Sequence, residues 1–192
     1  MVAPFAPALI SGIFNSDTGG GGVASLFTSE TPTGDFSDGT PGITTGITVR
    51  FAVDGVVTGV RFYTGAAVSG TYIGNLWSVD SSDPGTGTVL ATKTLGTTPT
   101  TGGWNSITFD TPVSVTAGVA YRAGVFSDAG RYVTTPSVFG SDLVNGNITA
   151  DASGDTVGGF SIFQGVYRID SSIGYPNSTG GGTNYFVDVL FS

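Results

Sequence analysis

The chain contains no cysteine and no histidine. That removes cysteine nucleophiles, disulfides, thiolate zinc sites and every histidine-based triad together. Charge is scarce: Asp, Glu, Lys and Arg make up 10% of the residues, against about 25% in an average globular domain. The six basic residues are scattered singly, the first being Arg50, and the net charge is −8. Nucleic acid is therefore not an expected partner, because phosphate backbones are held by basic stripes that release counterions. Anionic membrane surfaces are disfavoured on the same ground. The apolar start, MVAPFAPALISGIFNS, is broken by Pro4 and Pro7 and is too short to span a bilayer. It also lacks the positive residues of an export signal. Neither a signal peptide nor a membrane anchor is expected. The alternative is a mature chain whose signal has been removed. Helical periodicity and internal repeats are both missing.

What remains is enough to build a core. Hydrophobic residues make up 39% of the 192, with 13 Phe and 7 Tyr, and the polar residues are mainly Thr, Ser, Asn and Gly. That composition suits a β-protein with a weakly charged exterior. Residues 1–23 read as an extended apolar arm followed by a Gly-rich joint, DTGGGG. From Ala24 onward, short β-prone runs alternate with Gly, Asp, Pro and Thr turns, so residues 24–192 are expected to form one domain. Strands are predicted at 24–28, 47–53, 56–64, 71–79, 89–94, 104–109, 113–115, 119–126, 131–134, 160–166 and 184–191. Asp54-Gly55 predicts a hairpin, and Asp110–Pro112 a turn. The spacing predicts an all-β, antiparallel β-sandwich, jelly-roll or immunoglobulin-like, with an extended N-terminal arm. Arg50, Arg61 and Arg122 fall opposite the apolar parity of their strands and read as solvent-side or paired. The segment 137–159 is too long for an ordinary connection, so it is either functional or carries further structure.

Several stretches together carry a resemblance: SLFTSETPTG (25–34), VDGVVTGVRFYTG (53–65), GTYIGNLWS (70–78), VLATKT (89–94), GWNSITFDTPVSVTAGVAYRA (103–123), GRYVTT (130–135) and the tail GYPNST…TNYFVDVLF. Over roughly residues 24–191 the chain resembles the family called domain of unknown function 4082. The resemblance implies a β-sandwich module of secreted, mostly actinobacterial proteins, found beside glycoside hydrolase, carbohydrate-binding and immunoglobulin-like modules. It also implies a link to structural proteins of phages infecting such bacteria. The family has no established catalytic residues to carry over. Here the module stands alone, and the apolar arm takes the place of a signal sequence.

Catalysis on glycosides needs two carboxylates across a bond. The acids of this chain sit mainly in turns (Asp35, Asp38, Asp80, Asp83, Asp128, Asp151, Asp155), where Asp bonds its own backbone, and Glu30 is the only Glu. A non-enzymatic protein is expected, with no catalytic residue, no metal site and no cofactor. A structural calcium ion on DFSDG (35–39) or VDSSDPGTG (79–87) is the alternative, although neither loop matches an EF-hand. Glycan binding would use exposed aromatics. The candidates are Trp104, off the apolar parity or at the start of its strand, and Tyr132, Tyr175 and Tyr185 near turns. Each reads more readily as a rim or core aromatic with its polar tip in solvent. Trp77 shares parity with Ile73 and Val79 and reads as core. The apolar arm offers Phe5, Leu9, Ile10, Ile13 and Phe14 as an assembly interface, since such a strip is a liability in water.

An extracellular composition without an export signal is reconciled by a virion, which assembles in the cytoplasm and leaves by lysis. The expected function is a structural protein of a phage virion, a head decoration or minor tail protein, anchored partly by its arm. Its expected partners are other virion proteins or copies of itself, together with a weakly bound cell-surface glycan. A secreted carbohydrate-binding accessory domain is the first alternative, and a polysaccharide-active enzyme the second.

Overall fold

The computed structural model describes residues 22–157 and 160–192. In chain order the strands are β1 (Gly34–Ser37), β2 (Ile43–Phe51), β3 (Gly55–Tyr63), β4 (Tyr72–Ser78), β5 (Val89–Thr94), β6 (Trp104–Val115), β7 (Ala120–Ser127) and β8 (Arg131–Thr134). They continue with β9 (Leu143–Asn145), β10 (Ile148–Ala150), β11 (Thr156–Val157), β12 (Phe160–Ser161), β13 (Val166–Ile169), β14 (Ser178–Thr179) and β15 (Val187–Phe191). One sheet runs β14-β13-β2-β7-β4-β5, with the β9–β10 hairpin added at the end of β2. The facing sheet is β15-β3-β6. All pairings are antiparallel, and the two sheets form a sandwich.

Period-2 alternation supplies the inner faces. Ile47, Val49 and Phe51 of β2, Leu76 of β4 and Tyr121, Ala123 and Val125 of β7 point inward from the larger sheet. Val57, Val60 and Phe62 of β3, Ile107 of β6 and Val187 and Val189 of β15 meet them. Val57 and Val60 share one face despite their odd spacing because the β3–β6 register shifts between Val57 and Gly59, as a bulge does. Phe51 stacks on Phe191 across the sheets at 4.4 Å, and Phe62 on Tyr72 at 4.9 Å. Each such ring, fully buried, contributes about 1.5–3 kcal/mol.

Four local expectations need correction. Asp54-Gly55 is not a hairpin: β2 and β3 lie in different sheets, and the link between them is a crossover. Asp54 Oδ1 accepts the Ala117 N–H at 2.8 Å instead, and Phe51 O accepts that of Gly118. Residues 110–112 are not a turn but the bulged middle of one long strand, β6, where Lys93 of β5 donates to Asp110 at 2.6 Å. Residues 24–28 form no strand; Ala24 makes a single bridge to Phe191, and the segment is held by a side chain described below. Val119, expected to open the strand at 119–126, lies outside β7 and is 44% exposed. The long segment after Ser137 carries structure: a 3-10 turn at Val138–Gly140 buries Phe139, and the β9–β10 hairpin buries Ile148 and Ala150.

Candidate functional site

Two regions gather polar and aromatic side chains that the core does not explain. The first lies where the β1–β8 ribbon meets β13 and the segment before β15. Pairing of β1 with β8 sets Phe36 opposite Tyr132, and their rings stack at 5.6 Å. Tyr185 stands edge-on to Tyr132 at 5.8 Å, and Tyr167 of β13 follows at 6.2 Å. Four rings therefore form a continuous row. Phe36 is 47% exposed, and the three tyrosines are half-buried. The Tyr132 hydroxyl donates to exposed Asp38 at 3.1 Å. Burial, then neighbouring Tyr132, Tyr167 and Asp38, pushes the Tyr185 phenol up to about 12; burial and Asp38 also push Tyr132 up. Both phenols stay neutral at physiological pH and keep a proton to donate. Beneath the row is a cavity of about 20 Å³, the room of one water, so a sugar ring fits only on the outer surface of the row.

The second region is the outer face of the larger sheet. Tyr175 and Pro176, from the segment after β13, lie against it. Thr48, Arg122 and Trp77 lie in register across β2, β7 and β4, and all three are buried. Gln164 reaches between β10 and β13, which leave the middle of the β2 edge unpaired. Its amide accepts the Thr48 N–H at 3.0 Å and donates to the Thr48 carbonyl at 2.6 Å, completing the ladder. Arg122 Nε donates to Thr48 Oγ1 at 3.0 Å and Nη1 to the Pro176 carbonyl at 2.8 Å. The Tyr175 ring covers the guanidinium at 4.6 Å, and its hydroxyl donates to the Pro84 carbonyl.

A family model described as Domain of unknown function (DUF4082) matches residues 29–187. The chain belongs to this family. No curated protein matches the sequence.

Within this DUF4082 domain the four aromatic candidates divide. Tyr132 and Tyr185 come together in the row. Tyr175 lies on Arg122 at the other sheet face. Trp104 stands apart from all three: it is half-buried, stacked on Phe27 at 5.9 Å, and covered by the Arg61 guanidinium at 4.2 Å. Trp77 is buried, but on the outer face of its sheet, edge-on to Tyr175. Phe5, Leu9, Ile10, Ile13 and Phe14 lie outside the described residues.

Of the three off-parity arginines, Arg50 pairs with Asp151 and Arg61 with Asp188. Arg122 is neither solvent-side nor paired with a carboxylate among the described residues, contrary to expectation. Sequence reasoning also passed over Phe36, read as part of a metal loop, and Tyr167. A signal for Arg122 was present: it is the one charge in AYRAGVF, and strands buried on both faces read as nearly unbroken apolar runs. The carboxylates of the two calcium-candidate loops bond within the protein. Asp35 accepts from Ala66 N–H, Asp38 from Tyr132, Asp80 from Ser82 and Asp83 from Gly85.

Proposed function

We propose that this DUF4082 domain is a non-enzymatic structural module that holds glycan on the row Phe36–Tyr132–Tyr185–Tyr167. The observation that supports the reading is the row itself. Large apolar rings side by side at a surface are what sugar faces stack on, and Asp38 with the tyrosine hydroxyls adds hydrogen-bonding groups at its edge. Glycan-array screening of the wild type, with Phe36→Ala and Tyr132→Ala beside it, tests this. Binding by the wild type, weakened about ten-fold or more in each variant, is expected. No hit on bacterial wall glycans would remove the reading.

The setting we propose is a phage virion, as a head decoration or minor tail protein. Its support is sequence: a charge-poor chain, and an apolar arm suited to docking on a neighbour. A secreted accessory domain would use the same row. Deleting residues 2–15 separates the two, because a virion protein anchored by its arm would lose its place on particles.

A further inference from the structure

Arg122 occupies the floor of a second pocket that the aromatic row does not share. The pocket is about 300 Å³ and is also lined by Asp83, Phe163, Val166 and Asn177. Arg122 itself is 2% exposed. A guanidinium carries five N–H groups. Two are committed, to Thr48 and to Pro176, which leaves three. Nη2 has no acceptor among the described residues. Arg122 is among the residues that line the pocket, so an acceptor for the remaining N–H groups can come from it.

A buried cation without a counter-charge is costly, and removing a partner from such a group is among the larger single destabilisations known. Burial draws Arg122 below the ordinary guanidinium value, as expected where lost hydration is not replaced by a carboxylate. It remains charged at neutral pH. The cation is also held in place, by Tyr175 above it and by Thr48 and Pro176 at its edges. A held, desolvated guanidinium of this kind gives charge-assisted hydrogen bonds to a carboxylate through its remaining Nη hydrogens.

We infer that this pocket binds the carboxylate of an acidic sugar, a uronate, on Arg122. The rest of the lining selects the class. Phe163 is 45% exposed and offers a flat apolar face to a ring. Exposed Asn177 and Asp83 supply acceptors and donors for ring hydroxyls. Asp83 engages its own turn, accepting the Gly85 N–H at 3.0 Å, and it keeps negative charge on the rim. That charge disfavours phosphate, which carries more negative charge than a carboxylate. A smaller, mainly apolar pocket formed by Val79, Val119 and Ile162 adjoins at Pro84 and extends the site beyond one ring.

Isotope-labelled protein titrated with glucuronate and galacturonate, and in parallel with glucose, acetate and inorganic phosphate, tests the assignment. Saturable shifts at Arg122, Phe163 and Asn177 with at least one uronate, and none with glucose, are expected. Phe163→Ala and Asn177→Ala sit on exposed positions, so they test the site without disturbing the core. Each should weaken the uronate about five-fold or more. Arg122→Met should abolish binding where it folds. No shift with either uronate would overturn the proposal. Acetate or phosphate binding as tightly as the uronates would do so too. Uronate shifts confined to Phe36, Tyr132 and Tyr185 would also overturn it, while leaving the aromatic row intact. A failed screen on neutral glycans touches only the row.

Discussion

Arg61 and Asp188 lie in register on β3 and β15, with Arg61 Nη2 2.7 Å from Asp188 Oδ2. Asp188 has no exposed surface, and its carboxylate also accepts the N–H groups of Leu26 and Phe27 at 3.0 and 2.9 Å. One side chain thus ties the entering chain to the second sheet and orients the arginine that covers Trp104. Burial pushes the Asp188 carboxyl up; the Phe27 N–H and the Arg61 guanidinium pull it down.

Asp188→Ala strands Arg61 and two backbone donors at once. We expect it to cost about 3–5 kcal/mol, read from the urea midpoint. Lys93→Ala breaks the Lys93–Asp110 pair, in which both partners are exposed, and should cost less than about 1 kcal/mol. Similar losses from the two variants would contradict this account.

Gln164 acts as a stand-in strand for Thr48. Gln164→Ala leaves a buried N–H and a buried carbonyl without partners, worth about 1–3 kcal/mol each. Hydrogen exchange at the Thr48 amide should accelerate along with the loss of stability. Unchanged protection at Thr48 would mean that another group completes the β2 edge.

Gly124 on β7 lies under Trp77. A Cβ there would meet Trp77 Cζ3 at 2.8 Å and the Thr45 carbonyl at 3.1 Å. Gly124→Ala should therefore destabilise the domain by about 1–3 kcal/mol and shift the near-ultraviolet signal of Trp77. A neutral Gly124→Ala would show that the cover over the sheet yields easily.

Alkali should loosen the domain through two phenols. Burial pushes Tyr175 and Tyr185 up to about 12, against about 10 in an unfolded chain. Between those values the folded state holds more protons than the unfolded one. Their contribution is thus complete below pH about 10 and is lost as pH rises toward about 12. Urea midpoints should fall across that window, and less steeply in Tyr175→Phe. A fall confined to acid pH would refute the assignment.

The β-strands were legible because alternation is a local property. The runs around Val49, Val60 and Leu76 declare their faces without help from distant residues, and β5 and β8 have the boundaries expected for them. Asp54-Gly55 misled because turn chemistry says where a chain bends, not which sheet it enters next. Residues 110–112 misled because a bulged strand and a turn share Asp, Thr and Pro. In the candidate site, Tyr132 and Tyr185 were visible as aromatics near turns. Their meeting was not, since the chain between them runs through β9 to β14 before it returns.

By itself the sequence determined the class of protein: an antiparallel sandwich of the DUF4082 family, poor in charge and without cysteine or histidine, its core written in period-2 runs. Only the tertiary structure decided which polar residues are buried and which rings touch. Arg50, Arg61 and Arg122 look alike in their strands. Their fates differ because Asp151, Asp188 and the Tyr175 ring reach them from segments 101, 127 and 53 residues away, and hydration is lost or kept according to those long-range partners.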